Sequence, residues 1–233
     1  MMTDPWRYED MLADIRAGRR FAFARYCDGE WNAIFGRRGA NCDGHAYYPE
    51  MGEALRESLI TDPSHGYHVG IMPGLLHDTG RWWAAPQVIE YVAACPWLSF
   101  CDALMLLSAS KAGRLGEFFE ALRGWPVTII GNRHMAGLSP WIEIADMIVV
   151  PERDCWMINH DILLGLLETC RVPSVVLFAC SMPAKVWIRR AWESRCAATL
   201  IDVGAVLDPY VGRMSRGYMR EGKAILAQPL YRK

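Results

Sequence analysis

The sequence carries almost no net charge, −1 over 233 residues. A chain without a one-signed field does not advertise nucleic acid or an anionic surface as its partner. It has no apolar run near the ~18–20 residues that a membrane span needs, so no span is expected. Its first residues, Met-Met-Thr-Asp-Pro-Trp-Arg-Tyr-Glu-Asp, lack the apolar segment of a secretory signal. Among 8 cysteines there is no Cys-x-x-Cys pair. The cysteines are scattered, and some end apolar runs, as Cys180 does after Val-Val-Leu-Phe-Ala. That pattern fits reduced, buried thiols in a cytoplasmic protein and excludes a disulfide framework. Cys42-x-x-His45 and His65-x-x-His68 have no matched second pair at finger-like spacing, so structural zinc is not expected. There is no Gly-x-x-x-x-Gly-Lys loop, no internal repeat, no low-complexity tract and no linker.

What is present is a 52% hydrophobic composition, enough for a sizeable core. A single domain spanning residues 1–233 is expected, ending in a basic tail over 209–233. From Asp208 onward six basic side chains (Arg213, Arg216, Arg220, Lys223, Arg232 and Lys233) face two acidic ones. Such a tail is a solvated face or a hold on a polyanion.

The apolar pattern alternates short strands with helices of about ten residues. A first helix is expected from a cap at Thr3 or Asp4, with Pro5 at its first position, to about Arg19. Strands are expected over 21–27, 67–72, 103–108, 127–130, 147–150, 174–179 and 199–202. Helices are expected over 28–35, 51–60, 81–94, 114–122, 162–170 and 183–196. Short continuous apolar strands between helices imply an α/β fold, a mostly parallel sheet with helices on both faces. Its ligands gather beyond the carboxyl ends of the strands.

Four groups stand where such a sheet presents its chemistry. The first is Asp28-Gly-Glu30 at the end of the opening strand, with Arg25 on that strand. Two adjacent carboxylates repel unless a cation joins them, and oxygen ligands suit Mg²⁺ or Mn²⁺. An acidic first helical turn explains the same residues without a ligand. The second is Cys180-Ser-Met-Pro-Ala-Lys185, between a strand and a helix, where free N–H groups, the Ser181 hydroxyl and the Lys185 ammonium make an anion site. A plain helix cap by Ser181 is the other reading. The third is Asp202 and Asp208, which flank a turn at Gly204. The fourth comprises Asn132, Arg133 and His134 after one strand and Asp154 with Asn159, His160 and Asp161 after another. The tryptophans read as packing, with one or two free to stack on a base or sugar.

Three of these segments, in this order and spacing, resemble the GT-D-type glycosyltransferases. Arg25-Tyr-Cys-Asp-Gly-Glu30 is similar to their Arg-Phe-Gly-Asp-Gly-Glu signature. Ala179-Cys-Ser-Met-Pro-Ala-Lys-Val resembles their Gly-Pro-x-Ala-Lys segment, and Ile201-Asp-Val-Gly-Ala-Val-Leu-Asp208 their closing Ile-Asp-Ile-Gly segment. The likeness runs from about Phe21 to Tyr210. Cys27 and Cys180 stand where that pattern has glycine, which narrows the room for a close backbone approach.

The resemblance implies a Rossmann-like fold and transfer of a sugar from a nucleotide-sugar donor, a UDP-sugar in the first instance. It implies that Asp28 and Glu30 lie at a metal–diphosphate site holding Mn²⁺ or Mg²⁺. Arg25, Ser181, Lys185, Asp202 and Gly204 are the candidate donor and phosphate contacts. Asp208 is the first candidate base for the acceptor hydroxyl, with Asp154 and His134 behind it. The acceptor expected first is a glycan in a bacterial cytoplasm, and second a hydroxymethylated base in DNA in a phage-infected cell. Two further readings are a nucleotide-binding module without catalysis and a metal-dependent phosphohydrolase built on Asp28, Glu30 and Asp208.

Overall fold

The computed structural model describes residues 4–60, 62, 65–217 and 219. The tail residues Arg220, Lys223, Arg232 and Lys233, like the expected cap Thr3, lie outside the described residues. In chain order the elements are α1 (Tyr8–Ala17), β1 (Ala22–Tyr26), α2 (Asp28–Ile34), α3 (Pro49–Glu57), β2 (Tyr67–Ile71), α4 (Ala85–Ala94), β3 (Cys101–Asp102), α5 (Met105–Lys111), α6 (Leu115–Ala121), β4 (Val127–Gly131), β5 (Ile144–Val149), α7 (Asn159–Thr169), β6 (Val175–Ala179), α8 (Pro183–Glu193) and β7 (Thr199–Asp202). Short 3-10 turns follow β2, β4, β5 and β7.

The strands form one seven-stranded sheet in the order β3-β2-β1-β7-β6-β4-β5, every pairing parallel. Strand β1 alternates, Ala22, Ala24 and Tyr26 entering one core and Phe21 and Phe23 the other. Helices α2, α3, α4, α7 and α8 cover the first face, and α1, α5 and α6 the second. The β-branched runs of β4 and β6 are buried along their lengths, as a sheet covered on both faces requires. From β1 the chain moves outward to β2, whereas β7 arrives from β6 on the other side. The β1–β7 seam is therefore a switch point, and at such points an open α/β sheet takes its ligands beyond the carboxyl ends of the strands. Helix α2, which borders it, presses onto α3 at Gly52, where a Cβ would collide with the Ala33 carbonyl.

Three expectations need correction. Residues 103–108 are not a strand; they follow the two-residue β3 and begin α5. Leu and Met are good helix formers, and the run contains no β-branched residue. Met105, Leu106, Ala109 and Ser110 are buried while Ser108 is exposed, a helical spacing. Asp4 does not cap α1, which starts at Tyr8. Its carboxylate instead accepts the Trp6 N–H and meets His68 Nδ1 at 2.6 Å, with the His68 ring stacked on Trp6. Of the cysteines expected to be reduced, Cys170 and Cys196 form a disulfide from the end of α7 to the turn after α8, and the other six are free. Sequence spacing carries no information about which side chains meet in space.

Candidate functional site

The carboxyl ends of β1, β6 and β7 deliver an inner set of charges. Tyr26 ends β1, and the next residue, Cys27, caps α2. The Cys27 N–H donates to Glu30 Oε2 at 2.8 Å, an arm of a capping box. Glu30 Oε1 meets Lys185 Nζ, from the first turn of α8, at 2.7 Å. The same ammonium lies 2.9 Å from Asp202 Oδ2 and donates to the Ser181 carbonyl at 3.1 Å. An ammonium has three donors, and all three reach protein acceptors. Asp202, the last residue of β7, also accepts the Gly204 N–H at 3.0 Å and faces the Arg25 guanidinium at 3.5 Å. Glu30, Lys185 and Asp202 are 5%, 3% and 1% exposed, so these charges have left water almost entirely.

Their protonation follows from the pairing. Burial alone would lower the Lys185 pKa, but Asp202 and Glu30 more than offset it and hold the ammonium above its ordinary value. Burial would raise Asp202, but Lys185 and Arg25 keep its carboxyl below the usual range. Burial pushes the Cys27 thiol up to about 12, so it stays neutral. Gly204 has φ +52°, and a Cβ there would overlap Arg25 Nη2, so both backbone sign and space call for glycine.

An outer ring surrounds this core and is partly open. Asp28, in the first turn of α2, is partly buried, and burial followed by the Glu30 charge raises its pKa. Asp43, in the loop between α2 and α3, accepts at Oδ2 from Ser181 Oγ and from Arg216 Nη2, each at 2.9 Å. Ser181 has φ +61°. The left-handed position after β6 thus falls one residue beyond Cys180, the residue that replaces the pattern's glycine. Asp208 accepts from Ser215 Oγ and lies 4.0 Å from His134 Nε2. Burial raises the Asp208 pKa, and burial with the Arg213 charge lowers that of His134.

The structure thus brings Glu30, Lys185, Asp202, Arg25, Ser181 and Gly204 into one connected set and puts Asp208 beside His134. Asp154 goes elsewhere, its carboxylate accepting the Ala46 N–H at 3.0 Å and tying down the α2–α3 loop. Asn159 accepts the Trp187 indole N–H, while His160 and Asp161 point to solvent. Asp43 and Arg216 carry no sequence signal for the site. One lies in a segment legible only as a long loop, the other in a segment legible only as basic.

Among the described residues no three His, Cys, Asp or Glu side chains form a metal cage. The chemistry of the donor set fits a narrower arrangement. Glu30 is held by Lys185 and the Cys27 N–H, leaving Asp28 as the carboxylate at the mouth. One carboxylate suits a hard divalent ion whose remaining ligands are water and phosphate oxygens.

No family model matches the sequence, and no curated protein matches it. Solved structures do match. One, described as the highly conserved domain of unknown function 1792 with a distinct glycosyltransferase fold, superposes with a TM-score of 0.64 at 16% identity over 85% of this chain and 77% of its own. Another, a new glycosyltransferase (DUF1792) from Streptococcus sanguinis, has a TM-score of 0.63 at 15% identity over 88% of this chain and 81% of its own. At that identity the likeness is one of fold: the chain shares the α/β fold of these solved structures.

Proposed function

We propose that the chain is a glycosyltransferase that moves a sugar from a nucleotide-sugar, a UDP-sugar in the first instance, to an acceptor hydroxyl of a glycan. The observation that carries this reading is the connected set of Arg25, Glu30, Ser181, Lys185, Asp202 and Gly204, with Asp28 in the same first turn as Glu30, at the β1–β7 switch point of a sheet with the fold of solved glycosyltransferase structures. Cleaving the sugar–phosphate bond leaves a diphosphate with growing negative charge. Arg25 and the Ser181 hydroxyl are positioned to meet its oxygens. Lys185 acts from behind, orienting Glu30, Asp202 and the Ser181 carbonyl. Asp28 would hold Mn²⁺ or Mg²⁺, which when bound would supply Lewis-acid neutralisation of the leaving group, while Glu30 stays tied to Lys185 and the Cys27 N–H. Asp208 takes the acceptor proton: its raised pKa makes it a better base than an ordinary carboxylate, and His134 stands beside it.

A thermal-shift panel of nucleoside diphosphates and UDP-sugars, each with Mn²⁺ and with EDTA, tests this. The expected result is stabilisation that needs ligand and metal together and disappears in Asp28→Ala. Stabilisation indifferent to metal points to a nucleotide-binding module. Release of free phosphate without sugar transfer points to a phosphohydrolase.

A second acceptor reading, a hydroxymethylated base in DNA, draws on one surface feature. The Arg37 guanidinium lies over the Trp83 ring at 5.5 Å and that of Arg81 over Trp82 at 5.1 Å. Exposed arginines beside indoles suit a strand of phosphates and bases. Steep salt dependence of acceptor binding favours DNA, and a flat response favours glycan.

A further inference from the structure

We propose that Asp43 is the chain's own occupant of the place a donor phosphate takes, and that its ion pair with Arg216 is a latch the donor must open. The proposal rests on the donor-site reading above and adds to it a competitor and a cation. One oxygen, Asp43 Oδ2, collects both the Ser181 hydroxyl and the Arg216 guanidinium at 2.9 Å. A hydroxyl and a guanidinium converging on one anionic oxygen are the donors that hold a phosphate oxygen. The two side chains of the pair are 16% and 24% exposed, so solvent screens them only in part.

Arg216 is central to the outer ring. Its charge opposes the rise that burial gives the carboxyl pKa of Asp28 on one side and of Asp208 on the other, and also acts on Cys42 and His45. The groups facing Asp43 are Arg216, His45 and Ser181, and together they keep its carboxyl below the usual range although burial opposes this. The latch joins segments remote in sequence: the α2–α3 loop, the β6–α8 turn and the stretch after β7. Two anions cannot share this place. A diphosphate brings more charge and more acceptor oxygens than a carboxylate, so it takes Arg216 and Ser181 and expels Asp43. The binding-competent state is then only a fraction of the free protein, and apparent affinity falls by that fraction.

The test is calorimetric titration of the full chain with inorganic pyrophosphate and with UDP, with Mg²⁺ present, for wild type, Asp43→Asn, Arg216→Gln and the double variant. Asparagine keeps an acceptor for Ser181 but releases Arg216. Asp43→Asn is expected to tighten both probes about fivefold, the scale of a partly exposed ion pair. Arg216→Gln is expected to weaken them by at least as much, and the double variant to bind no tighter than Arg216→Gln alone. Wild-type protein gives a second readout: pyrophosphate should speed hydrogen exchange of amides 40–46. Wild-type binding with Asp43→Asn unchanged or weaker, or slowed exchange over 40–46, overturns the latch and leaves the donor site standing. No binding of either probe by any folded variant overturns both.

Discussion

The inner and outer layers of the site contain the same residue types in opposite circumstances. Inside, Glu30, Lys185 and Asp202 are buried and mutually paired, with the partly exposed Arg25 at their edge. Outside, Asp28, Asp43, Asp208 and Arg216 are less deeply paired, and two of the carboxyls have raised pKa values. A charge saturated by the protein can only position its neighbours, whereas a charge at the mouth can exchange its partner for a ligand. The difference separates Asp28 from Glu30, two residues apart on one helical turn.

The contrast breaks most visibly at Lys185. Lys185→Met leaves the buried Glu30 without its cation and Asp202 with only the Arg25 guanidinium, and should cost about 3–5 kcal/mol, read from urea unfolding. Loss below 1 kcal/mol would mean that the inner layer is not the closed network described. Acid should act on the same network. The Asp202 carboxyl is depressed in the folded state, so its contribution is present at neutral pH and is lost as pH falls through that depressed value. A melting-temperature series down into the acid range follows this, and Asp202→Asn should flatten it.

Asp208→Asn should behave in the opposite sense. Stability should hardly change, because removing an ionised carboxylate with a raised pKa relieves desolvation. Sugar transfer should drop about 10²–10⁴-fold, the usual worth of a general base. In the wild type the acid limb of kcat/KM should lie above the ordinary carboxylate range and vanish in this variant.

Gly204→Ala is smaller. A side chain at φ +52° against Arg25 should cost at least about 1 kcal/mol and loosen nucleotide binding, measured by unfolding and titration. Smallest is Ser181→Gly. Relief of a left-handed serine and loss of the hydroxyl bond to Asp43 oppose each other, each about 1 kcal/mol. Net stability should stay within about 1 kcal/mol of wild type, and a larger loss would show that the bond to Asp43 outweighs the strain.

Much of this was legible from local pattern. β1, β6 and β7 announce themselves as short apolar runs, and the acidic pair, the Ser181–Lys185 segment and Asp202–Gly204 each follow one of them. Where the reading failed, local signals had no competitor visible in the sequence. Pro5 after Asp4 imitates a helix start until His68, 64 residues away, claims the carboxylate. The apolar run at 103–108 imitates a strand until burial shows helical spacing.

The sequence by itself determined the layered α/β architecture, because strand and helix periods are properties of neighbouring residues. It also determined which chemistry-bearing residues stand at the ends of the strands. Only the tertiary structure decided their division of labour. Whether a carboxylate is neutralised by a lysine, held by an arginine or left at the mouth depends on partners up to 177 residues away, as Asp202 and Arg25 are. Charge pairing acts over a few ångströms of space and is blind to distance along the chain.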